Sequence, residues 1–206
     1  SLVTGLLLPD APVVAWWPNS APENVSESPI GKIAARRITD AFSQKDPKAF
    51  LLNLSKTYAP GDSDFSWTRL TLWRAQFAAL LDQPPYEQIQ SVEVIGDLEN
   101  PSMLLLGAWL RQQLACSVSM VHRADSIGVK AVYRVRLLRK DSSIEILRDQ
   151  SNIAVLSQTS QPPKELSLPV RSLRDCLAED LRRLDPDLAF EKVITSGLEL
   201  LLQEQP

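Results

Sequence analysis

Residues 89–123, IQSVEVIGDLENPSMLLLGAWLRQQLACSVSMVHR, decide the fold class of this chain. The opening part, IQSVEVIGD, carries apolar side chains at the spacing of a strand, and Asn100 followed by Pro101 is a typical helix start. The next part, SMLLLGAWLRQQL, is strongly apolar and predicts a buried helix, after which CSVSMVHR predicts a second strand. A strand, a helix and a strand in this order form the unit of a parallel sheet covered by helices.

The same order of elements extends towards the N-terminus. Residues 11–17, APVVAWW, predict a buried strand, and residues 35–42, ARRITDAF, predict a second short strand or its edge. Asp46 and Pro47 have the residue types of an N-cap and a first helical position, so a helix is expected to begin there. A further helix is predicted up to Pro84-Pro85, with one apolar face formed by Leu70, Trp73, Phe77, Leu80 and Leu81.

The pattern changes after residue 125. Short alternating segments, among them KAVYRVRLLRK and NIAVLSQ, are separated by brief polar turns, which predicts an antiparallel meander. Two helices then close the chain: Ser172 and Asp175 resemble a capping box at the start of the first, and Asp185-Pro186 is expected to start the second.

We therefore predict an α/β fold with a mixed sheet. A strand–helix alternating, largely parallel part occupies residues 1–125, and an antiparallel meander with two C-terminal helices occupies residues 126–206. We expect the two parts to pack together as one domain.

The composition limits the classes of partner. The chain has 22 basic and 25 acidic side chains, a net charge of −3, and no long block of like charge, which disfavours nucleic acid and anionic membranes as partners. Its apolar runs fall far short of the roughly 20 residues that span a bilayer. Cys116 and Cys176 match no metal or redox motif, and two isolated thiols favour a reducing cytoplasm.

The usual parts of a catalytic or cofactor site are missing from the sequence. The single histidine, His122, has no neighbouring residues of a metal site or a catalytic triad. The seven glycines are too widely spaced for a phosphate-cradling loop, so we expect no nucleotide cofactor. Carboxylates such as Asp62, Asp64 and Asp180 are expected to cap helices or to lie in solvent. We therefore predict no catalytic residue, no metal site and no cofactor.

Candidate partner-binding residues lie in residues 65–74, FSWTRLTLWR. Trp73 shares the apolar helical face and is expected in the core, whereas Trp67, Arg69 and Arg74 lie at or beside the helix start. Arg69 could stack on Trp73, and Arg74 on Trp67. Packing at the helix entry and a docking surface explain this group equally well, because tryptophan and arginine dominate interface hot spots.

Two further tryptophans, Trp16 and Trp17, are adjacent in the first predicted strand, so their side chains point to opposite faces. One can enter the core, while the other needs a partner surface or a covering helix. Another function remains open: a protein or enzyme that binds phosphosugars or nucleotides, with the phosphate held by Arg69, Arg74, Arg134 and Arg136.

Four segments resemble one known family. LLLPDAPVVAWWP, PIGKIAARRITDA, YAPGDSDFSWTRLTLWRAQFAALLDQPPYE and CLAEDLRRLDPD occur in this order and are similar to the bacterial glucose-6-phosphate dehydrogenase assembly protein family, OpcA, in its actinobacterial branch. The resemblance covers nearly the whole chain and assigns it to the C-terminal portion of such a protein, with the family's N-terminal domain expected before Ser1.

This resemblance implies a non-catalytic cytoplasmic protein that binds glucose-6-phosphate dehydrogenase, the entry enzyme of the oxidative pentose phosphate pathway. It further implies that the chain promotes assembly and activity of that enzyme as an allosteric activator. The resemblance supplies no catalytic residues, so Trp67, Arg69, Arg74, Trp16 and Trp17 are our own choice of partner-binding residues.

Overall fold

The computed structural model describes residues 11–84, 86–123, 132–148 and 152–204. A three-stranded parallel sheet forms first, from β1 (Val14–Trp16), β2 (Arg36–Thr39) and β3 (Asp62–Asp64), in that order. Both of the predicted N-terminal strands are therefore confirmed. Gly61 precedes β3 with a φ of 96°, a region that favours glycine, and lets the chain turn into the strand.

Helices connect and cover this small sheet. Between β2 and β3 runs α1 (Pro47–Thr57), which begins where expected because the Asp46 carboxylate accepts the Ala49 N–H. After β3 come the short α2 (Phe65–Thr68) and α3 (Thr71–Leu81). The apolar face predicted for this segment is largely confirmed, since Leu70, Trp73, Phe77 and Leu80 are all buried.

The second sheet contains the segment that fixed the fold class. Strand β4 (Ser91–Gly96), helix α4 (Pro101–Leu114) and strand β5 (Ser117–His122) form the predicted unit, and the two strands are parallel. The meander follows as β6 (Val132–Leu138), β7 (Ser143–Leu147), β8 (Ile153–Gln158) and β9 (Lys164–Ser167), each antiparallel to its neighbour. Because β6 pairs antiparallel with β4, the sheet has the order β5-β4-β6-β7-β8-β9.

Helix α4 lies between the six-stranded sheet and several of the other helices. Its residues from Pro101 to Ala108 are buried, as is Leu110. One side of the helix packs on β4 and β5, while other sides contact α1, α2 and the C-terminal helices. A helix that is apolar on almost every side is stable only when it is enclosed in this way.

Two helical segments close the described chain. The capping box of Ser172 and Asp175 opens α5 (Leu173–Asp180), as predicted. The last helix runs as α6 (Leu188–Lys192), a π-helical turn (Val193–Gly197) and α7 (Leu198–Gln203). Its predicted start at Asp185-Pro186 is wrong: Asp187 is the N-cap, because its carboxylate accepts the N–H groups of Ala189 and Phe190.

The predicted fold class is confirmed: an α/β fold with parallel strands first, an antiparallel meander next and helices at the end. The six-stranded sheet takes β4 and β5 from before residue 125 and its other four strands from after it. The division of the chain at residue 125 stays a prediction.

Candidate functional site

The site begins where β3 turns into α2, at the start of the segment FSWTRLTLWR. Asp64 is fully buried here, and its carboxylate accepts the Ser66 N–H at 2.8 Å, the Thr39 hydroxyl at 2.7 Å and the Ala41 N–H at 2.9 Å. Burial raises the pKa of Asp64 above its ordinary value, and the nearby Asp40 raises it further. This carboxylate therefore fixes the direction in which α2 leaves the sheet.

Trp67 is part of the core. Its side chain is 2% exposed, packs on Phe190 with ring centroids 5.8 Å apart, and donates its indole N–H to Asp187 at 2.9 Å. The predicted stacking of Arg74 on Trp67 is present, with the guanidinium carbon 3.7 Å from the ring centroid. Burial lowers the pKa of Arg74 to about 10. In the described structure, therefore, Trp67 and Arg74 pack against each other where the helix begins.

Arg69 contacts Asp40 and Phe42, at the start of a neighbouring 3₁₀ turn, rather than Trp73. Its guanidinium forms two hydrogen bonds of 2.7 Å with the Asp40 carboxylate and lies 5.7 Å from the Phe42 ring centroid. Within the described residues Arg69 does not stack on Trp73 as expected; Arg148 lies over the Trp73 ring instead, at 5.3 Å. The charge of Arg69 is thus already neutralised.

The two adjacent tryptophans separate as their alternation predicts. Trp17 is partly buried and packs on the main core, whereas Trp16 is 38% exposed and contacts Phe65 on its inner side. Among the five residues that we predicted for partner binding, Trp16 alone falls in the exposed class. Binding of a partner by any of the five stays a prediction.

Helix α5 extends the exposed surface around Trp16. Leu173, Leu177 and Leu181 follow one another at four-residue spacing, and together with Ala178 they lie against Trp16 in one shallow apolar depression. Leu173 is 46% exposed and Leu181 is 48% exposed. We call these five residues, Trp16, Leu173, Leu177, Ala178 and Leu181, the α5 patch. Its residue types, a tryptophan beside several aliphatic side chains, are those of a binding surface.

The buried residues of α5 are Cys176 and Asp180. Asp180 is 3% exposed and forms an ion pair with Arg36 of β2. The same carboxylate accepts the hydroxyls of Ser63 at 2.8 Å and Thr68 at 2.7 Å. This network joins α5 to β2, β3 and α2.

Residues of the segment FSWTRLTLWR and of α5 form a second connection between these helices. The Thr71 hydroxyl donates to Glu179 at 2.9 Å, and Arg171 donates both to Glu179 and to the backbone oxygen of Thr68. The segment therefore positions α5 and, through it, the α5 patch. This gives the segment a structural role that sequence reasoning missed.

The expectation that these carboxylates cap helices or lie in solvent is wrong for Asp62 and Asp180, whereas Asp64 caps α2. Asp62 is buried against Arg37, Asp180 against Arg36, and Asp64 beneath the 3₁₀ turn at residue 41. Capping by Asp64 is confirmed. A buried carboxylate needs a positive or hydrogen-bonding partner, and here the partners come from distant parts of the chain.

The arginines of the meander are paired as well. Arg136 contacts Glu93 at 2.8 Å and Glu145 at 3.1 Å, and Arg134 lies 3.9 Å from Glu145. The arginine set considered for a phosphate site is therefore largely occupied by carboxylates of the same chain.

The single histidine of the chain, His122, is exposed at the end of β5, an edge strand.

Both cysteines are buried and free. Burial raises the pKa of Cys116, and it raises the pKa of Cys176 from 9.0 to about 11. Thiols with raised pKa values are poor nucleophiles at neutral pH. Cys176 is therefore a core thiol of low reactivity.

Cys176 should make the fold sensitive to alkaline pH. Between pH 9 and pH 11 the unfolded chain loses this proton while the folded chain keeps it, so the free energy of unfolding falls as pH rises. Between pH 9 and pH 11 we expect the free energy of unfolding of the wild type to fall by up to about 1.4 kcal/mol more per pH unit than that of Cys176→Ala. Urea unfolding of the wild type and of Cys176→Ala at several pH values measures the difference. Parallel curves for the wild type and Cys176→Ala would contradict this assignment.

Two further features are absent from the part of the chain that the structure describes. No helix in this part of the chain is long and apolar enough to cross a bilayer. Within the same residues, no three side chains of His, Cys, Asp or Glu lie together as a metal site would require.

Comparison with known families decides the family of the chain. A family model described as the C-terminal domain of a glucose-6-phosphate dehydrogenase subunit matches residues 60–194, and one described as the N-terminal domain of that subunit matches residues 1–56. The chain belongs to the OpcA family of glucose-6-phosphate dehydrogenase subunits. The family resemblance is confirmed, and the match extends beyond the C-terminal portion to which the resemblance assigned the chain. The protein thus has a role associated with glucose-6-phosphate dehydrogenase.

No curated protein sequence matches this OpcA-family chain. Among solved structures it is similar to KijD10, a 3-ketoreductase from Actinomadura kijaniata, with a TM-score of 0.54 and 10% identity over 100% of this chain and 81% of that chain. It is also similar to the UDP-N-acetylglucosamine 3-dehydrogenase GnnA from Acidithiobacillus ferrooxidans, with a TM-score of 0.46 and 10% identity over 92% of this chain and 77% of that chain. At this identity the likeness to the ketoreductase shows a shared fold alone.

Proposed function

We propose that this OpcA-family chain is a non-catalytic cytoplasmic subunit that binds glucose-6-phosphate dehydrogenase through the α5 patch and promotes its active oligomer. The observation that carries the proposal is the exposed apolar stripe of α5 beside Trp16, in a chain whose family is described as a subunit of that enzyme. Tryptophan and leucine side chains left exposed together on one helix and one strand have the character of an interface core.

The construction of the α5 patch supports this proposal. The helix that carries it is tied to the sheet by the buried pair of Arg36 and Asp180 and by the bond from Thr71 to Glu179. A surface that is rigid before binding loses less conformational entropy when the partner docks. In this proposal the partner does not contact the side chains that hold α2 and α3 in place, namely Trp67, Arg69 and Arg74.

The same residues weigh against the competing phosphosugar function. Arg69 and Arg136 bind carboxylates of their own chain, and Arg74 is stacked on Trp67. A phosphate bound by this set would have to displace those carboxylates, at the cost of leaving them unpaired.

Activation of an enzyme by a subunit requires tighter binding to its active state than to its resting state. We therefore expect the chain to increase the rate of the dehydrogenase or to lower its KM, and to shift it towards one oligomer. The experiment is a steady-state assay with light scattering, with and without the full chain. Unchanged rate, KM and oligomer size would contradict the proposal.

Substitutions in the α5 patch test where the binding occurs. In the double variant Leu173→Ser, Leu181→Ser, the concentration of chain needed for half-maximal activation should rise about tenfold or more, because two exposed apolar anchors are lost. Leu200→Ser is the matched control, since Leu200 of α7 is also exposed, at 41%. An equal effect of the control and the double variant would place the interface elsewhere.

A further inference from the structure

A small cavity lies between α3, the start of α4 and the meander, and it shares no lining residue with the α5 patch. Its volume is about 200 Å³, and its walls include Trp73, Asn100, Val132, Arg148 and Arg171. This volume equals that of roughly six or seven molecules of liquid water, so the cavity suits a small ligand. Most of its wall is apolar, formed by side chains such as Leu70 and Val170.

The cavity contains an unbalanced positive charge. Three of its lining residues are arginines: Arg69 forms an ion pair with Asp40, and Arg171 forms one with Glu179. Within the described parts of the chain, Arg148 has no carboxylate at ion-pair distance. Its recorded hydrogen bonds go to the backbone oxygens of Val132 at 3.0 Å and Leu168 at 3.5 Å, and its buried Nε has no partner.

Arg148 is largely removed from bulk solvent. The residue is 7% exposed, and its guanidinium lies over the Trp73 ring at 5.3 Å. Burial lowers the pKa of Arg148 to about 10, which reflects the cost of keeping the charge there. A buried and unpaired guanidinium is costly, and an anion that enters the cavity would remove this cost.

The start of α4 adds to the positive potential. Asn100 and Ser102 lie in the cavity wall at the N-terminus of this helix, where its dipole is positive. The Ser102 and Met103 N–H groups are already bonded to Asn100, so the helix contributes its field rather than free donors.

We propose that this cavity binds a small organic monocarboxylate, whose carboxylate pairs with Arg148 and whose apolar body lies against Trp73 and Val132. One unbalanced guanidinium matches one negative charge, whereas a phosphate monoester would bring a second charge that nothing in the wall neutralises. An α-amino acid fits poorly, because its ammonium group would lie near three arginines. This inference is independent of the proposed binding of the dehydrogenase.

The probe is benzoate, and benzamide is its uncharged match in shape. At about ten times its Kd, benzoate should raise the Tm of the full chain by roughly 3–6 °C, while benzamide at the same concentration should not. Phenyl phosphate and inorganic phosphate, at the same concentration, test whether the cavity prefers a phosphate. An equal shift with benzamide, or none with benzoate, would overturn the proposal, as would a larger shift with either phosphate.

Two variants assign the effect to this cavity. Arg148→Gln should raise the Kd for benzoate at least tenfold, measured by titration calorimetry. Val170→Glu keeps the test valid if the first variant is poorly folded, because Val170 is 45% exposed and the added carboxylate would repel the ligand at the cavity wall. Val121→Glu, at a similarly exposed position on β5, should bind benzoate as the wild type does. Unchanged affinity in both Arg148→Gln and Val170→Glu would show that the ligand binds elsewhere.

Discussion

Replacing Asp180 with alanine is expected to lower the free energy of unfolding by about 3–5 kcal/mol. The carboxylate is buried, pairs with Arg36, and accepts hydrogen bonds from Ser63 and Thr68. The alanine variant would leave the buried guanidinium of Arg36, itself 3% exposed, without its anionic partner. The loss is large because an unpaired buried charge costs more than the ion pair contributes.

Chemical unfolding followed by circular dichroism measures this effect. Asp180→Asn should cost less than alanine, since the amide keeps the size of the side chain and one oxygen acceptor. Asp141→Ala is the exposed control and should stay within about 0.5 kcal/mol of the wild type. A loss below about 1 kcal/mol for Asp180→Ala would mean that the pair with Arg36 does not hold α5 to the sheet.

Trp67→Ala should reduce stability by a similar amount, about 3–5 kcal/mol. The substitution removes one of the largest fully buried side chains, its contact with Phe190 and its hydrogen bond to Asp187. It also removes the ring on which Arg74 stacks, so the Arg74 guanidinium loses this contact. The remaining cavity adds to the cost because a packed core collapses only in part.

Two variants separate the contributions of Trp67. Trp67→Phe keeps an aromatic ring and loses the indole N–H, so it should cost clearly less than alanine. Trp16→Ala removes the same side chain from an exposed position and should likewise cost less. If Trp67→Ala and Trp16→Ala were equally stable in urea, the core position of Trp67 would be contradicted.

The fold could be predicted from the sequence because its signals are local. The helix starts at Asp46, Asn100 and Ser172 depend on hydrogen bonds that reach only two or three residues along the chain. The parallel unit of β4, α4 and β5 follows from the order and apolarity of its elements. The start of α6 was misplaced because Asp185 and Asp187 are equally good N-caps by residue type, and only one has the geometry.

The buried charges could not be predicted, because their partners are far apart in sequence. Arg36 and Asp180 are separated by 144 positions, and Arg37 and Asp62 by 25. Nothing in the segment ARRITD distinguishes two buried arginines from two on a solvated strand. Burial of a charged residue depends on what the whole fold brings to it.

Periodicity also cannot tell a core face from a binding face. Cys176, Leu177 and Leu181 all follow the helical spacing of α5, yet Cys176 is fully buried while Leu181 is 48% exposed. The same limit applies to the tryptophans: the sequence favours Trp67 over Trp16 and Trp17 as a partner-binding residue, and of these three the structure leaves only Trp16 exposed. Exposure is a tertiary property, and among these three tryptophans it favours Trp16 as an interface candidate.

The most direct test of the central claim is sedimentation velocity of the full chain mixed with its glucose-6-phosphate dehydrogenase. The account predicts a faster boundary that contains both proteins, and a Kd raised about tenfold or more by Leu173→Ser with Leu181→Ser but not by Leu200→Ser. Separate boundaries for the two proteins at every concentration at which both stay in solution would contradict it.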